Sequence, residues 1–299
     1  MNDLRIMKSL SVLPVFLLFG SIGIATAQEW PANLKIEGKV AFTEGPAWHA
    51  ESESVFFTDI ENNRIMRRMK DGSLQVYRQP SGKANGLVFD QQGRLYACEG
   101  GDKRVTRTEL DGTITVLTDR FEGHRYNSPN DLALAPDGSI YFTDPRYGSR
   151  DDMELEVEGV YYVSRRGKIT RVIDDMVRPN GIALSLDRKT LYAVDNGAQT
   201  IKQYGVNDDG SLANGSLFFD MGKECGGGGD GMTIDSRGNI YCAGAGAVWA
   251  WNPNGELLAK ITPPEGPANC VFGGADNRTL FITARTGFYS VTMNVAGGR

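Results

Sequence analysis

Apolar and aromatic residues recur along the chain in short runs, each closed by an acidic or small residue. In one copy, residues 130–134 (Asn-Asp-Leu-Ala-Leu) lead through Pro136-Asp137-Gly138 into residues 140–144 (Ile-Tyr-Phe-Thr-Asp). Two alternating runs joined by an Asp-Gly turn are typical of a β-hairpin. Long stretches of helical periodicity are absent from the sequence after residue 27, so the pattern predicts an all-β protein.

The hairpin pattern recurs six times. When the copies are aligned, one column holds only residues with oxygen-bearing side chains, at intervals of 41, 45, 50, 50 and 39 residues: Glu44, Asn85, Asn130, Asn180, Asp230 and Asn269. The second strand of each copy ends 14 or 15 residues after its column residue. Intervals of this length accommodate four short strands, so each copy is predicted to be a small antiparallel sheet.

Six such sheets predict a six-bladed β-propeller with four-stranded blades, because radial packing buries the apolar faces of neighbouring sheets against each other. The sixth copy is short, and the strand-like segment 34–40 precedes the first column residue. We therefore expect an N-terminal strand to complete the last blade and close the ring. Two β-sandwiches are the alternative, but they do not explain a six-fold register.

The first 27 residues differ from the rest of the chain. Arg5 and Lys8 precede an apolar stretch over residues 10–24, and Ala25-Thr26-Ala27 follows. This order predicts a secretory signal peptide over residues 1–27 and a single propeller domain over residues 28–299. The expected location is the periplasm or the outside of the cell, without membrane attachment after signal removal. An uncleaved N-terminal anchor is the alternative.

Composition and charge narrow the class of protein. With 37 Gly, 12 Pro and 40% apolar residues among 299, the chain is typical of a globular protein. Its formal charge is -5 and it has no basic run longer than two residues, which argues against a nucleic-acid partner.

Four cysteines follow the predicted signal peptide, without CxxC spacing. Cys98 and Cys242 fall in strand-like runs and are expected to be buried. Cys225 and Cys270 lie near loop or channel positions, so in an oxidising compartment a disulfide between them is one alternative and two free thiols are the other.

The six column residues should converge, because the first strand of every propeller blade lines the central channel. Two carboxylates and four amides offer oxygen ligands, of which Ca²⁺ takes about six to eight. Zinc would favour nitrogen or sulfur. Glu44 and Asp230 would repel each other unless a proton or a cation lay between them. We therefore predict a site for Ca²⁺ or another divalent cation; the alternative is a channel whose polar groups bind only one another and water.

At these positions the sequence resembles the senescence marker protein (regucalcin) and gluconolactonase family of calcium-dependent six-bladed propellers. Four motifs carry the resemblance: Glu44-Gly45-Pro46-Ala47-Trp48, Asn127-Ser128-Pro129-Asn130-Asp131 with Phe142-Thr143-Asp144-Pro145, Arg178-Pro179-Asn180-Gly181, and Gly229-Asp230-Gly231-Met232. It spans nearly all of residues 28–299, and the run Arg125-Tyr126-Asn127-Ser128-Pro129-Asn130 is most similar to secreted bacterial gluconolactonases.

The resemblance implies that Glu44, Asn180 and Asp230 bind the metal and that Asn130 binds either metal or substrate. It also implies that Asp230 transfers the proton during hydrolysis, with Glu44 as the second candidate. The implied substrate is a small sugar lactone such as gluconolactone, whose carbonyl the metal polarises. Two alternatives stay open: a metal-dependent hydrolase of aryl esters or phosphotriesters, and a non-catalytic binding propeller.

Further residues are candidates for contacts with substrate hydroxyls, against the alternative of ordinary loop and surface roles: Asn85, His124, Arg125, Asn127, Arg146, Tyr147 and Asn269. The regucalcin branch has an arginine two residues before the third-blade asparagine, where this chain has Ser128, and Arg125 is the candidate to replace it. Asp59, Asp144 and Asp195 end second strands and are expected to accept backbone hydrogen bonds.

Overall fold

The computed structural model of the protein describes residues 28–29 and 34–298. These residues form six antiparallel sheets in chain order, which confirms the predicted six-bladed β-propeller. The predicted signal peptide, residues 1–27, lies outside the described residues. In the described part of the chain, no helix has the length and apolar character needed to cross a membrane.

The first three blades are named here in chain order, with their strands given from the centre outward. Blade 1 contains Thr43–His49, Ser54–Asp59, Arg64–Arg68 and Leu74–Arg78. Blade 2 contains Ala84–Phe89, Leu95–Glu99, Arg104–Thr108 and Ile114–Thr118. Blade 3 contains Leu132–Leu134, Ile140–Asp144, Gly159–Val163 and Ile169–Ile173. A short hairpin, Arg120–Phe121 with His124–Arg125, precedes blade 3.

The other three blades follow the same plan. Blade 4 contains Pro179–Leu184, Thr190–Asp195, Thr200–Gly205 and Ser216–Asp220. Blade 5 contains Gly229–Ile234, Ile240–Gly244, Ala247–Trp251 and Leu257–Ile261, with Gln28–Glu29 added in parallel at its edge. Blade 6 contains Asn269–Gly273, Thr279–Ala284, Gly287–Thr292 and Lys35–Lys39. One helix, Met221–Cys225, connects blades 4 and 5.

The ring is closed by the N-terminal strand, as the sequence predicts. Lys35–Lys39 pairs antiparallel with Gly287–Thr292 and forms the outer strand of blade 6. The carboxylate of Glu37 in this strand accepts hydrogen bonds from Arg68 Nε of blade 1 (2.7 Å) and from Ser290 Oγ of blade 6 (2.5 Å). One side chain therefore ties the last blade to the first.

The hydrophobic core is divided into clusters, one between each pair of neighbouring blades. Second strands such as Ser54–Asp59 and Leu95–Glu99 are buried at every position, because both of their faces pack against other blades. Between blades 1 and 6, the fully buried rings of Phe57 and Phe288 stack with centroids 4.4 Å apart. Burying each such side chain contributes roughly 1.5–3 kcal/mol, so the blades stabilise one another.

All four cysteines are free. Cys98 and Cys242 are fully buried, as predicted for residues within strands. Cys270 is also buried, whereas Cys225 is partly exposed, and the two do not form a disulfide.

Candidate functional site

The column residues lie at the channel ends of the innermost strands. In four blades the pairing with the second strand shifts register around the column residue. An irregularity of this kind changes the direction in which a side chain points. The four column residues at these shifts are Glu44, Asn85, Asn180 and Asp230.

A glycine follows each of these four column residues, and it permits close contact between blades. A β-carbon on Gly181 would lie 2.1 Å from the carbonyl oxygen of Asp230, a distance that no real β-carbon tolerates. Backbone hydrogen bonds cross the same boundaries: Gly86 N donates to Asn130 O (2.7 Å), and Gly231 N donates to Ala268 O (2.7 Å). In these four blades, the start of the innermost strand therefore packs directly on the next blade.

Two carboxylates of the column, Glu44 and Asp230, lie close enough that the charge of Asp230 affects the pKa of Glu44. Glu44 is 5% exposed, and its Oε2 accepts a hydrogen bond from Gly45 N (3.0 Å). Burial and then the charge of Asp230 raise the pKa of Glu44 well above its ordinary value. Burial, together with the charge of Asp131, raises the pKa of Asp230 to about 7. Both carboxyls therefore resist ionisation unless a positive charge accompanies them.

Asp131 is a third channel carboxylate, which the sequence analysis did not identify. It is 7% exposed, and burial raises its pKa to about 7. Its Oδ1 accepts from Leu132 N (2.9 Å), and its Oδ2 accepts from Asn269 Nδ2 (3.5 Å). Because Asn269 belongs to blade 6 and Asp131 to blade 3, on opposite sides of the ring, this contact shows that the two blades meet near the axis. The sequence does contain a signal for this residue, because four column residues are followed by glycine whereas Asn130 is followed by Asp131.

The donor set fits a hard divalent cation. Within residues 34–298, no lysine or arginine offsets the charge of Glu44, Asp131 or Asp230. In the same part of the chain, acidic, histidine and cysteine side chains alone do not form a metal-binding group of three. Amide oxygens would therefore have to complete the coordination. Buried negative charge beside asparagine side chains is the chemistry that Ca²⁺ prefers.

The amide of Asn180 is oriented by Tyr147, a residue of the loop after the second strand of blade 3. Asn180 Nδ2 donates to the Tyr147 hydroxyl (2.7 Å), and the Asn180 side chain also stabilises the charged form of Asp230, which lowers the pKa of that carboxyl against the larger effect of burial. The contact with Tyr147 uses the amino group, so Oδ1 is available to bind a cation. Burial and the charge of Asp230 raise the pKa of Tyr147, which keeps its hydroxyl protonated.

The other asparagines of the column have different contacts. Asn130 is 7% exposed, and its backbone N–H donates to Thr143 O (2.8 Å). Asn269 Oδ1 accepts from Cys270 N (2.8 Å) while its Nδ2 contacts Asp131, so both ends of this side chain have protein partners. Asn85 is half-buried.

Comparison with known proteins identifies the family. Residues 42–286 match the family model described as "SMP-30/Gluconolactonase/LRE-like region". The chain belongs to this family. The resemblance drawn from the four motifs is thereby confirmed.

Three similar proteins illustrate the match. Gluconolactonase of Zymomonas mobilis is 30% identical over 279 residues, which cover 83% of this chain and 78% of that protein. The solved structure of a gluconolactonase from Xanthomonas campestris is 32% identical with a TM-score of 0.80, over 87% of this chain and 89% of that one. Regucalcin of Agrobacterium tumefaciens, a calcium-binding protein, shares the fold with a TM-score of 0.73 at 22% identity, over 87% and 93% of the two chains.

Several loop residues that the sequence analysis proposed for substrate contacts already have protein partners. His124 and Arg125 lie in the exposed hairpin before blade 3, and the Arg125 guanidinium pairs with Glu154. The Arg146 guanidinium pairs with Asp152 and donates from Nη1 to Asn127 O (3.2 Å).

Asn127 has no exposed surface. Its Nδ2 donates to Val157 O (3.1 Å), and its Oδ1 has no hydrogen-bond partner in the described chain. A substrate at the channel mouth would therefore reach Tyr147, which is 44% exposed, before it could reach Asn127.

The aspartates that end second strands hold the segments before the column residues, as the sequence predicts. Asp144 accepts from the N–H groups of Asn127 (2.8 Å) and Ser128 (2.7 Å). In blade 1, Asp59 accepts from Phe42 N (3.1 Å). Each aspartate thus fixes the backbone that leads into the channel.

Proposed function

We propose that this protein is a calcium-dependent lactonase that hydrolyses a sugar lactone of the gluconolactone type to the aldonic acid. The observation that carries the proposal is the group of channel carboxylates, Glu44, Asp131 and Asp230, which lack a basic partner among the described residues. Family membership supports lactone hydrolysis, because the Zymomonas and Xanthomonas relatives are both gluconolactonases. The calcium-binding regucalcin of the same fold supports the choice of cation.

The residues proposed to hold the cation are Glu44, Asn130, Asn180 and Asp230. When bound, the cation would withdraw charge from the lactone carbonyl and stabilise the negative oxygen that forms on attack by water. The chain contributes a prearranged set of oxygens, since Tyr147 holds the Asn180 amide and Gly45 N holds the Glu44 carboxylate.

Asp230 is the proposed proton acceptor. It retains partial exposure, whereas Glu44 is 5% exposed, so a water molecule at the channel mouth reaches Asp230 more readily. Asp230 takes a proton from this water as the water oxygen adds to the carbonyl carbon. The ring C–O bond then breaks, and Asp230 returns this proton to the departing ring oxygen, which becomes a hydroxyl of the aldonic acid.

A substrate panel tests the proposal. Hydrolysis of aldonolactones, aryl esters and phosphotriesters would be measured with calcium and after its removal. We expect calcium-dependent turnover that is fastest with aldonolactones. Turnover restricted to aryl esters or phosphotriesters would assign the site to the alternative hydrolase activity, and the absence of turnover with every substrate would leave a binding propeller.

A further inference from the structure

Arg178 occupies in blade 4 the position that Ser128 occupies in blade 3. Each lies two residues before its column asparagine. Asp195 accepts from Arg178 N (3.0 Å), just as Asp144 accepts from Ser128 N (2.7 Å). The backbone is therefore held alike in the two blades, but of these two only blade 4 presents a long cationic side chain there.

The guanidinium of Arg178 lies beside the candidate site. Its central carbon is 5.0 Å from the centroid of the Tyr147 ring, a cation–π arrangement. The hydroxyl of the same ring accepts the hydrogen bond from Asn180 Nδ2 (2.7 Å). One aromatic side chain thus connects Arg178 to a proposed metal ligand and supports the flat face of the guanidinium.

The Arg178 guanidinium also has a donor that no described protein group accepts from. Its Nε is buried and has no hydrogen-bond partner in the part of the chain that the structure describes. The nearest carboxylate oxygen, Glu158 Oε2, is 4.0 Å from that Nε and already accepts from Arg146 N (2.9 Å). The other Glu158 oxygen is bound by Arg150. The Arg178 side chain is 37% exposed, so its remaining donors are accessible from solvent.

We propose that Arg178, supported by the Tyr147 ring, binds hydroxyl oxygens of the sugar lactone and is a specificity-determining residue. This inference rests on the proposed function and names the group that would distinguish hydroxylated lactones from unsubstituted ones. A guanidinium offers several donors in a fixed plane, which suits two neighbouring hydroxyl oxygens. A lactone without hydroxyls gains none of these hydrogen bonds, so it loses the binding free energy that the guanidinium would give to a hydroxylated lactone.

The test compares Arg178→Gln with the unaltered protein on gluconolactone and on δ-valerolactone, which has the same six-membered ester ring without hydroxyls. We expect kcat/KM for gluconolactone to fall by about 10-fold or more, chiefly through KM, since one charged hydrogen-bonding group is lost. The value for δ-valerolactone should change by less than about 2-fold. On gluconolactone, the kcat/KM of Arg178→Lys should lie between that of the unaltered protein and that of Arg178→Gln, because lysine retains the charge but not the planar donors.

Arg166→Gln is the matched control, since Arg166 is exposed in the turn between Gly159–Val163 and Ile169–Ile173. This substitution should leave kcat/KM unchanged for both lactones. Melting temperatures of all three variants would show that each is folded. An equal loss on both lactones, or no loss on either, would overturn the role of Arg178 while leaving the lactonase activity intact. Failure of the unaltered protein to hydrolyse either lactone would overturn the proposed function and this inference together.

Discussion

A β-carbon placed on Gly231 would lie 2.0 Å from Cγ of Asn269, the column residue of the next blade. The backbone of Gly231 also donates to Ala268 O at 2.7 Å, so at this point blade 5 contacts blade 6 through its backbone alone. The glycine is therefore required for contact between blades rather than for an unusual backbone conformation.

Gly231→Ala should destabilise the fold by about 2–3 kcal/mol, because the added methyl group must displace Asn269 or separate the two blades. The free energy of unfolding in urea measures the effect. Gly266→Ala is the control, since a β-carbon there would have Arg285 Nε as its nearest neighbour, 3.8 Å away. The control should change stability by less than about 0.5 kcal/mol. Equal effects of the two substitutions would show that the close contact at Gly231 has no energetic consequence.

Removal of calcium should abolish lactone hydrolysis and lower the melting temperature. A cation that binds only the folded protein stabilises it by about 2.7 kcal/mol when its free concentration is 100 times its Kd. Thermal unfolding would be followed with calcium, after exhaustive chelation, and after calcium is restored. Melting and activity that are unchanged by chelation would contradict the proposed metal site.

Substitution of the two column carboxylates should separate their roles. Asp230→Asn should reduce kcat by about 100-fold or more, the usual contribution of a proton-transfer group, with a smaller loss of calcium affinity. Glu44→Gln should mainly weaken calcium binding, because Glu44 is the more deeply buried of the two. Calcium titration and steady-state kinetics on both variants provide the comparison. An Asp230→Asn variant with undiminished kcat would move the proton transfer to Glu44 or to water.

The six-fold repeat predicted the propeller fold and the place of the column residues at the channel, because both depend on a repeated pattern and repetition is visible in a sequence. Asp131 was missed for the same reason: it stands where four other blades have glycine, so it departs from the repeat. Its place in the channel depends on the register of the innermost strands, which the sequence does not display. Contacts between distant loops are equally hidden, since nothing in the sequence shows that Arg125 pairs with Glu154 or that Arg178 lies over Tyr147.

Ring closure gives a final prediction, centred on Glu37. Its carboxylate joins Arg68 of blade 1 to Ser290 of blade 6, and the Glu37 and Arg68 side chains are only 14% and 19% exposed. Glu37→Ala should therefore cost about 2 kcal/mol, because it leaves a largely buried guanidinium without its partner and loosens the closing strand.

The matched control is Asp175→Ala, which removes another ion pair between neighbouring blades. Asp175 binds Lys202 Nζ at 3.0 Å, but its own side chain is 68% exposed. Water replaces such a partner readily, so this substitution should change the free energy of unfolding by less than about 0.5 kcal/mol. Urea denaturation of both variants measures the difference. If Glu37→Ala were as mild as the control, the seam between blades 1 and 6 would be held by strand pairing and by packing such as Phe57 on Phe288, and the polar tie would add little.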